Sequence, residues 1–299
     1  MRVGPALAAE KPLNIRVSAA AGYDNNTALD SFRKGDGFAQ ESAAVIYKRL
    51  LNTKSQVRLS YDAFNVNYFE FTDQNILLNQ ASGGLSFLLT PSTVWENDHT
   101  FQYLDFTRDA SVTSYSNEFR TGIRQRFGKR VNLKVGFSYL DREYEDKKLR
   151  FGNGLLSADD ERSDKRYLID SKLSFKLNST VILNAGGTVT WNDSDDQYQD
   201  YYDYTAYKMF TGFSWRIAER WSSTFKFSYE LRDYDSRLTS TPDLTTQSDD
   251  SYTALAGLYY KIDANLTAGS TYTYREKRSN EPSQEYSGAL GTLGLYHSF

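Results

Sequence analysis

Residues 130–140 read RVNLKVGFSYL. Val131, Leu133, Val135, Phe137 and Tyr139 alternate with Asn132, Lys134, Gly136 and Ser138, so one face is apolar and the other polar. Successive side chains of an extended chain point to opposite sides, and a period of two marks a half-buried β-strand. Residues 166–177 repeat the pattern: Tyr167, Ile169, Leu173 and Phe175 oppose Arg166, Asp170, Lys172, Ser174 and Lys176. So do 221–232 and 252–262. No stretch has helical periodicity.

Working outward, short turns fall near 51–53, 91–92, 128–129, 178–179, 218–219 and 264–265. Longer polar segments lie between them, at 24–37, 70–76, 106–113, 141–164, 192–203, 233–250 and 276–284. Together they delimit fourteen strands, of which the second (38–50) and fifth (94–105) alternate least. A period near 40 residues also suits propeller blades, but blades hold four short strands. Here each period holds two strands, most long enough to cross a bilayer at a tilt. In a bilayer a sheet must close on itself, because lipid satisfies no backbone group. Short and long connections in strict alternation, with an even strand count, predict an all-β fold: a transmembrane antiparallel up-and-down barrel of about 14 strands with both termini periplasmic. The expected division is 1–12 as a residual signal or N-terminal tail, and 13–299 as a single barrel domain.

Two features separate this reading from a soluble sandwich. Trp95, Trp215 and Trp221 lie within a few residues of short turns on the apolar face, and Trp191 ends its strand beside a long loop. They are the expected membrane girdle. The chain also stops within a strand, LGTLGLYHSF, where Leu293, Leu295, His297 and Phe299 share a face. Phe299 is the candidate insertion signal for the barrel-insertion machinery. At the other end, MRVGPALAA has the small-residue finish of a secretory signal without its long apolar core.

Composition narrows the function classes. The 299 residues carry a net charge of -3, with 23 Tyr, 18 Phe and no Cys. A disulfide framework, a Cys-zinc site and a thiol nucleophile are excluded. The charge balance does not suggest nucleic acid. His99 and His297 are far apart, and neither has a plausible catalytic or metal constellation. No enzyme activity, cofactor or metal is expected. Asp193, Asp195 and Asp196 offer oxygen ligands for calcium but lack the Gly turn and distal Glu of a known loop, so a solvated acidic loop is the simpler account. The Tyr-rich run 198–207 could stack on sugar rings at the mouth.

With the apolar face toward lipid, the other face lines the lumen. It carries Arg16, Arg58, Arg120, Arg124, Arg126, Lys134, Arg166, Lys172, Lys226 and Arg232 as the candidate anion path, with Lys176, Lys208, Arg216, Lys261 and Arg275 beside them. The acids on that face are Asp62, Glu96, Asp98, Glu118, Asp170 and Glu230, too few to neutralise the bases. A basic lumen concentrates anions; pairing across neighbouring strands is the competing structural account.

The opening Val17-Ser-Ala-Ala-Ala-Gly22-Tyr23-Asp24-Asn25-Asn26 resembles the first strand and loop of the porin type 2 β-barrel family. The resemblance implies an export or diffusion pore of the bacterial outer membrane, often associated with exopolysaccharide export. The expected function is therefore passage of a solute, with an anionic polysaccharide or other anion as the leading candidate. The alternative is a barrel scaffold that sheathes or assembles a partner protein, as a cytochrome conduit or a surface-protein translocator. Expected partners are the lipid bilayer and lipopolysaccharide, the insertion machinery, and a polysaccharide or periplasmic export partner.

Overall fold

A computed structural model describes residues 12–30, 32–106, 113–198 and 200–299. The strands are β1 (Leu13–Asp24), β2 (Asp36–Leu50), β3 (Ser55–Tyr68), β4 (Ile76–Thr90), β5 (Thr93–Phe106), β6 (Ser114–Phe127) and β7 (Val131–Arg150). They continue as β8 (Leu156–Lys176), β9 (Val181–Ser194), β10 (Tyr204–Arg216), β11 (Trp221–Leu238), β12 (Thr246–Lys261), β13 (Leu266–Ser279) and β14 (Tyr286–Ser298). Each pairs antiparallel with the next, and β1 pairs with β14, Arg16 opposite Ser298 and Asp24 opposite Leu290. Fourteen strands thus close a barrel with no free edge. The N-terminal tail expected at 1–12 lies almost wholly outside the described residues.

The barrel is apolar on its outside. Leu59, Phe119, Ile169 and Leu293 point outward and are 52%, 48%, 48% and 69% exposed. Buried hydrophobic side chains among the described residues are few: Phe38, Val66, Val94, Tyr144, Ala206 and Tyr234. A soluble sandwich would put its large apolar residues the other way round. A base on the lipid face at mid-membrane would cost about 2–4 kcal/mol, which favours the alternation. Trp95, Trp191, Trp215 and Trp221 all face outward. The first, third and fourth lie at the end with the short turns; Trp191 lies at the end with the long loops. We call these the turn end and the loop end.

The structure departs from the sequence reading at the loop end. Residues 141–164, expected as a loop, are mostly strand: β7 and β8 stay paired past Arg142–Asp164 to Arg150–Leu156, with irregular register, leaving a turn at 151–155. Likewise β11 runs on to Leu238 and β12 begins at Thr246. Both faces of these extensions are polar, so the period-two signal vanishes although the backbone ladder persists. The weakly alternating β5 is regular; Asn97 and His99 face outward opposite the inward Glu96 and Asp98, which blurs its contrast.

Candidate functional site in the barrel lumen

The lumen is built from the even-numbered inner positions of β1 to β11, with the parity switching to odd for β12 and β13. A cavity of about 630 Å³ lies on its β1–β7 side, lined by Arg16, Arg58, Arg120, Arg124 and Lys134 together with Asp62, Glu96, Asp98 and Glu118. Many of the candidate bases are paired. Arg58 meets Asp98 at 2.7 Å and Arg120 meets Asp170 at 2.6 Å. Arg124 and Lys134 share Glu96, at 2.9 and 2.8 Å. Arg232 and Lys208 share Glu230, at 2.8 and 3.2 Å. Arg166 donates to Asn192 Oδ1 at 3.1 Å. Arg16, Arg126, Lys172 and Lys226 have no carboxylate within reach among the described residues. Pairing organises the middle of the lumen, and an excess of bases is left among the described residues.

A second network links side chains at the loop end. Arg162 and Asp164, both buried, pair at 2.6 Å, and the Tyr144 hydroxyl donates to Asp164 at 3.0 Å. The Arg162 guanidinium lies 3.5 Å from the Tyr202 ring centre and 4.6 Å from that of Tyr144. Arg150 pairs with buried Asp196 at 3.0 Å and sits 4.8 Å over Tyr201. Arg237 lies 4.4 Å over the other side of this cluster, on Tyr201. Guanidinium–ring contacts are worth about 0.5–2 kcal/mol each, more as water is excluded. They tie the β7–β8 hairpin, the segment 195–203 and the β11 extension into one cap.

This cap absorbs the two loop motifs the sequence singles out. Asp195 accepts from Ser163 and Asp196 from Arg150, so these aspartates are spent on structure. No group of His and acidic residues with metal-site spacing occurs among the described residues. Tyr198, Tyr201 and Tyr202 stack on arginines. Nothing in the local sequence links Arg162 to Tyr202; their contact is tertiary. Asp203 is the exception to pairing. Burial pushes its carboxyl up to about 6, aided by Asp193, Asp200 and Asp235 and opposed by the Ser194 N–H bonded to it.

The Tyr23-Asp24-Asn25-Asn26 element is also structural. Buried Asp24 takes two bonds from Arg275, at 2.8 and 2.7 Å, and the Asn26 side-chain amide donates to the Asp30 and Ser287 carbonyls. It pins the β1–β2 loop to β13 and β14, beside the barrel's closure. At the turn end the Phe299 N–H bonds the Ile15 carbonyl, and its ring packs 4.3 Å from His297. His99 is exposed on the outer face.

A family model described as surface lipoprotein assembly modifier matches residues 17–177, which span β1 to β8 and make up more than half of the chain. The chain belongs to the surface lipoprotein assembly modifier family. The barrel character implied by the opening motif stands, but the matched family is the assembly modifier, not porin type 2. No curated protein matches the sequence. Among solved structures, this assembly-modifier barrel is similar to the outer membrane channel DcaP of Acinetobacter baumannii, with a TM-score of 0.59 at 11% identity over 96% of each chain. It is similar to an anion-selective porin from Comamonas acidovorans, with a TM-score of 0.53 at 9% identity over 96% of this chain and 98% of that one. A bacterial polysaccharide outer membrane secretin gives a TM-score of 0.53 at 10% identity, covering 98% and 100%. At such identities the likeness is one of fold: a bacterial outer-membrane β-barrel.

Proposed function

We propose that this barrel assembles a lipid-anchored partner protein at the cell surface, handling its polypeptide in the charged lumen. The observation that carries the reading is the family match across β1–β8, the strands that build most of the 630 Å³ cavity. Two features of the lumen agree with it. Its middle is cross-linked by shared carboxylates such as Glu96. Its loop end carries the Arg162–Tyr202 network, which binds the β7–β8 hairpin to the segment before β10. In this reading the loop end faces outward and the turn end faces the periplasm, in keeping with the long outer loops and short periplasmic turns of such barrels. Phe299, at the turn end, then presents the insertion signal, and the four tryptophans mark the two membrane interfaces. The chemistry is transport and assembly, not catalysis.

Cells lacking the barrel should retain surface lipoproteins inside, shielded from protease added to intact cells, and the restored gene should expose them. Equal exposure with and without the barrel would sink the proposal. A tag at 152–158 should be labelled on intact cells, and a tag at 218–219 only after lysis; the reverse would invert the barrel.

The unpaired Arg16, Arg126, Lys172 and Lys226 favour a second reading, a pore for an anion or an anionic polysaccharide. Purified protein alone would then conduct in steps with anion preference. An assembly device gives no steady conductance until its cap opens.

A further inference from the structure

The inner charges are unevenly placed. The acids Asp62, Glu96, Asp98 and Glu118 belong to β3, β5 and β6, while Asp170 on β8 is taken by Arg120 and Glu230 on β11 by Arg232 and Lys208. On the opposite wall, the inner positions of β9–β12 between the turn end and Glu230 hold no acidic residue. They hold Arg216, Lys226 and Lys261, with Lys172 and Lys176 on the adjoining β8. Among the described residues, none of these five has a carboxylate at ion-pair distance, although Lys261 acts on Asp263 at longer range.

The register makes the excess sharper. Arg124, Lys134 and Lys172 are direct neighbours on β6, β7 and β8. Like charges directly opposite on a sheet destabilise it. Glu96 draws Arg124 and Lys134 toward β5 and leaves Lys172 with the basic wall.

That wall is not only basic. A cavity of about 380 Å³ is lined by Lys172, Lys208, Lys226, Phe210, Thr253 and Leu255, among others. The Phe210 ring lies over Gly186, where a Cβ would collide with it. Lys172 and Lys226 thus line one cavity with an aromatic and an aliphatic side chain, Phe210 and Leu255.

We infer that the β8–β12 wall is a binding site for an acidic polypeptide segment, whose carboxylates meet Lys172 and Lys226 while an apolar side chain packs on Phe210 and Leu255. The inference rests on the reading of the barrel as a device for a partner protein, and names the chemistry of the segment it holds. A small inorganic anion would leave Phe210 and Leu255 without a role. An acidic polysaccharide supplies carboxylates but no apolar side chain for them. Charge draws the segment from the turn end inward, because unpaired bases focus the field of a low-dielectric channel.

The test uses the purified barrel in detergent and a fluorescent peptide of alternating Glu and Leu. Comparison peptides carry Lys for Glu or Ser for Leu, and polygalacturonate serves as the acidic polysaccharide. The Glu–Leu peptide should bind, weaken as salt screens the lysines, and outcompete both the Glu–Ser peptide and polygalacturonate. Lys172→Gln with Lys226→Gln should lower its affinity by about tenfold; Lys172→Arg with Lys226→Arg should restore it. Heat-modifiable migration on gels identifies the folded variants. The inference is overturned if the Lys–Leu peptide binds as well, if the glutamine variant keeps its affinity, or if polygalacturonate competes as strongly. Surface exposure of lipoproteins is scored in parallel. Normal exposure without the barrel removes the assembly reading and leaves the peptide result standing. Barrel-dependent exposure without peptide binding removes the inference alone.

Discussion

Arg120 on β6 reaches over β7 to Asp170 on β8, a 2.6 Å ion pair that spans a whole strand above Gly136. A Cβ on Gly136 would stand 2.9 Å from Asp170 Oδ1 and 3.1 Å from Arg120 Nη2, so the crossing depends on that glycine. The pair is partly wet, with side chains 32% and 20% exposed, which limits its worth to about 1 kcal/mol. A double-mutant cycle with Arg120→Gln and Asp170→Asn should return a coupling of about that size, read from the temperature at which the unboiled gel band converts to the unfolded one. Gly136→Val should destabilise the barrel without removing either charge. Zero coupling would show that the pair is incidental.

The same pairing dictates which charges set ion preference. Removing Arg120 and Asp170 together leaves the net lumen charge unchanged. Removing Lys172 and Lys226 subtracts two uncompensated positives. In planar bilayers, once the barrel conducts, the first double variant should keep the parent's reversal potential. The second should shift it toward cations. If the paired variant shifts as far as the lysine variant, the arrangement of charge has no bearing and only fixed structure around Arg120 matters.

The strand pattern was legible because the two faces of each strand meet different media, lipid and water. Val131 to Tyr139 needed no tertiary information. At Asp141 to Arg150 that contrast ends, because both faces meet water or one another, and the ladder that continues there rests on backbone bonds that any side chain permits. The lumen was half legible. Parity placed Lys134 and Glu96 on the inside, but only the register shows that Glu96 serves Lys134 and Arg124 at once. The cap was not legible, since Arg162 and Tyr202 lie on different hairpins and their contact has no local period.

Asp203 makes the cap sensitive to pH. Burial holds its carboxyl at about 6, above the ordinary value of 3.8, so the docked segment favours the protonated form. A raised carboxyl contributes stability that is complete below about 4 and is lost as pH rises through 6. The negative charges of Asp193, Asp200 and Asp235 add to the effect, and the Ser194 N–H works against it. Amide exchange of 195–203, corrected for the intrinsic effect of pH, should show stronger protection at pH 4.5 than at pH 7.5. Asp203→Asn should raise protection at pH 7.5 and flatten the profile. An unchanged profile in that variant would move the pH response to another group.

Tyr202 is the ring on which the cap converges. Arg162 lies 3.5 Å from its centre, Lys147 5.0 Å and Arg150 5.3 Å. Tyr202→Phe keeps the ring and should leave the cap docked. Tyr202→Ala removes it and should cost at least about 1.5 kcal/mol of docking, since each of the three contacts contributes about 0.5 kcal/mol or more. The Arg162–Asp164 pair stays intact, so the barrel should still fold and run as a heat-modifiable band. Two readouts follow from a loosened cap. Protease should cut at 195–203 in the alanine variant on intact cells while sparing the parent. Purified protein should conduct more than the parent, because the side-chain contacts at the loop end are weakened while the strands below remain paired. If the alanine variant resists protease and conducts no more than the parent, the stacked arginines do not hold the cap, and the closure of the loop end must lie in the β11–β12 extension instead.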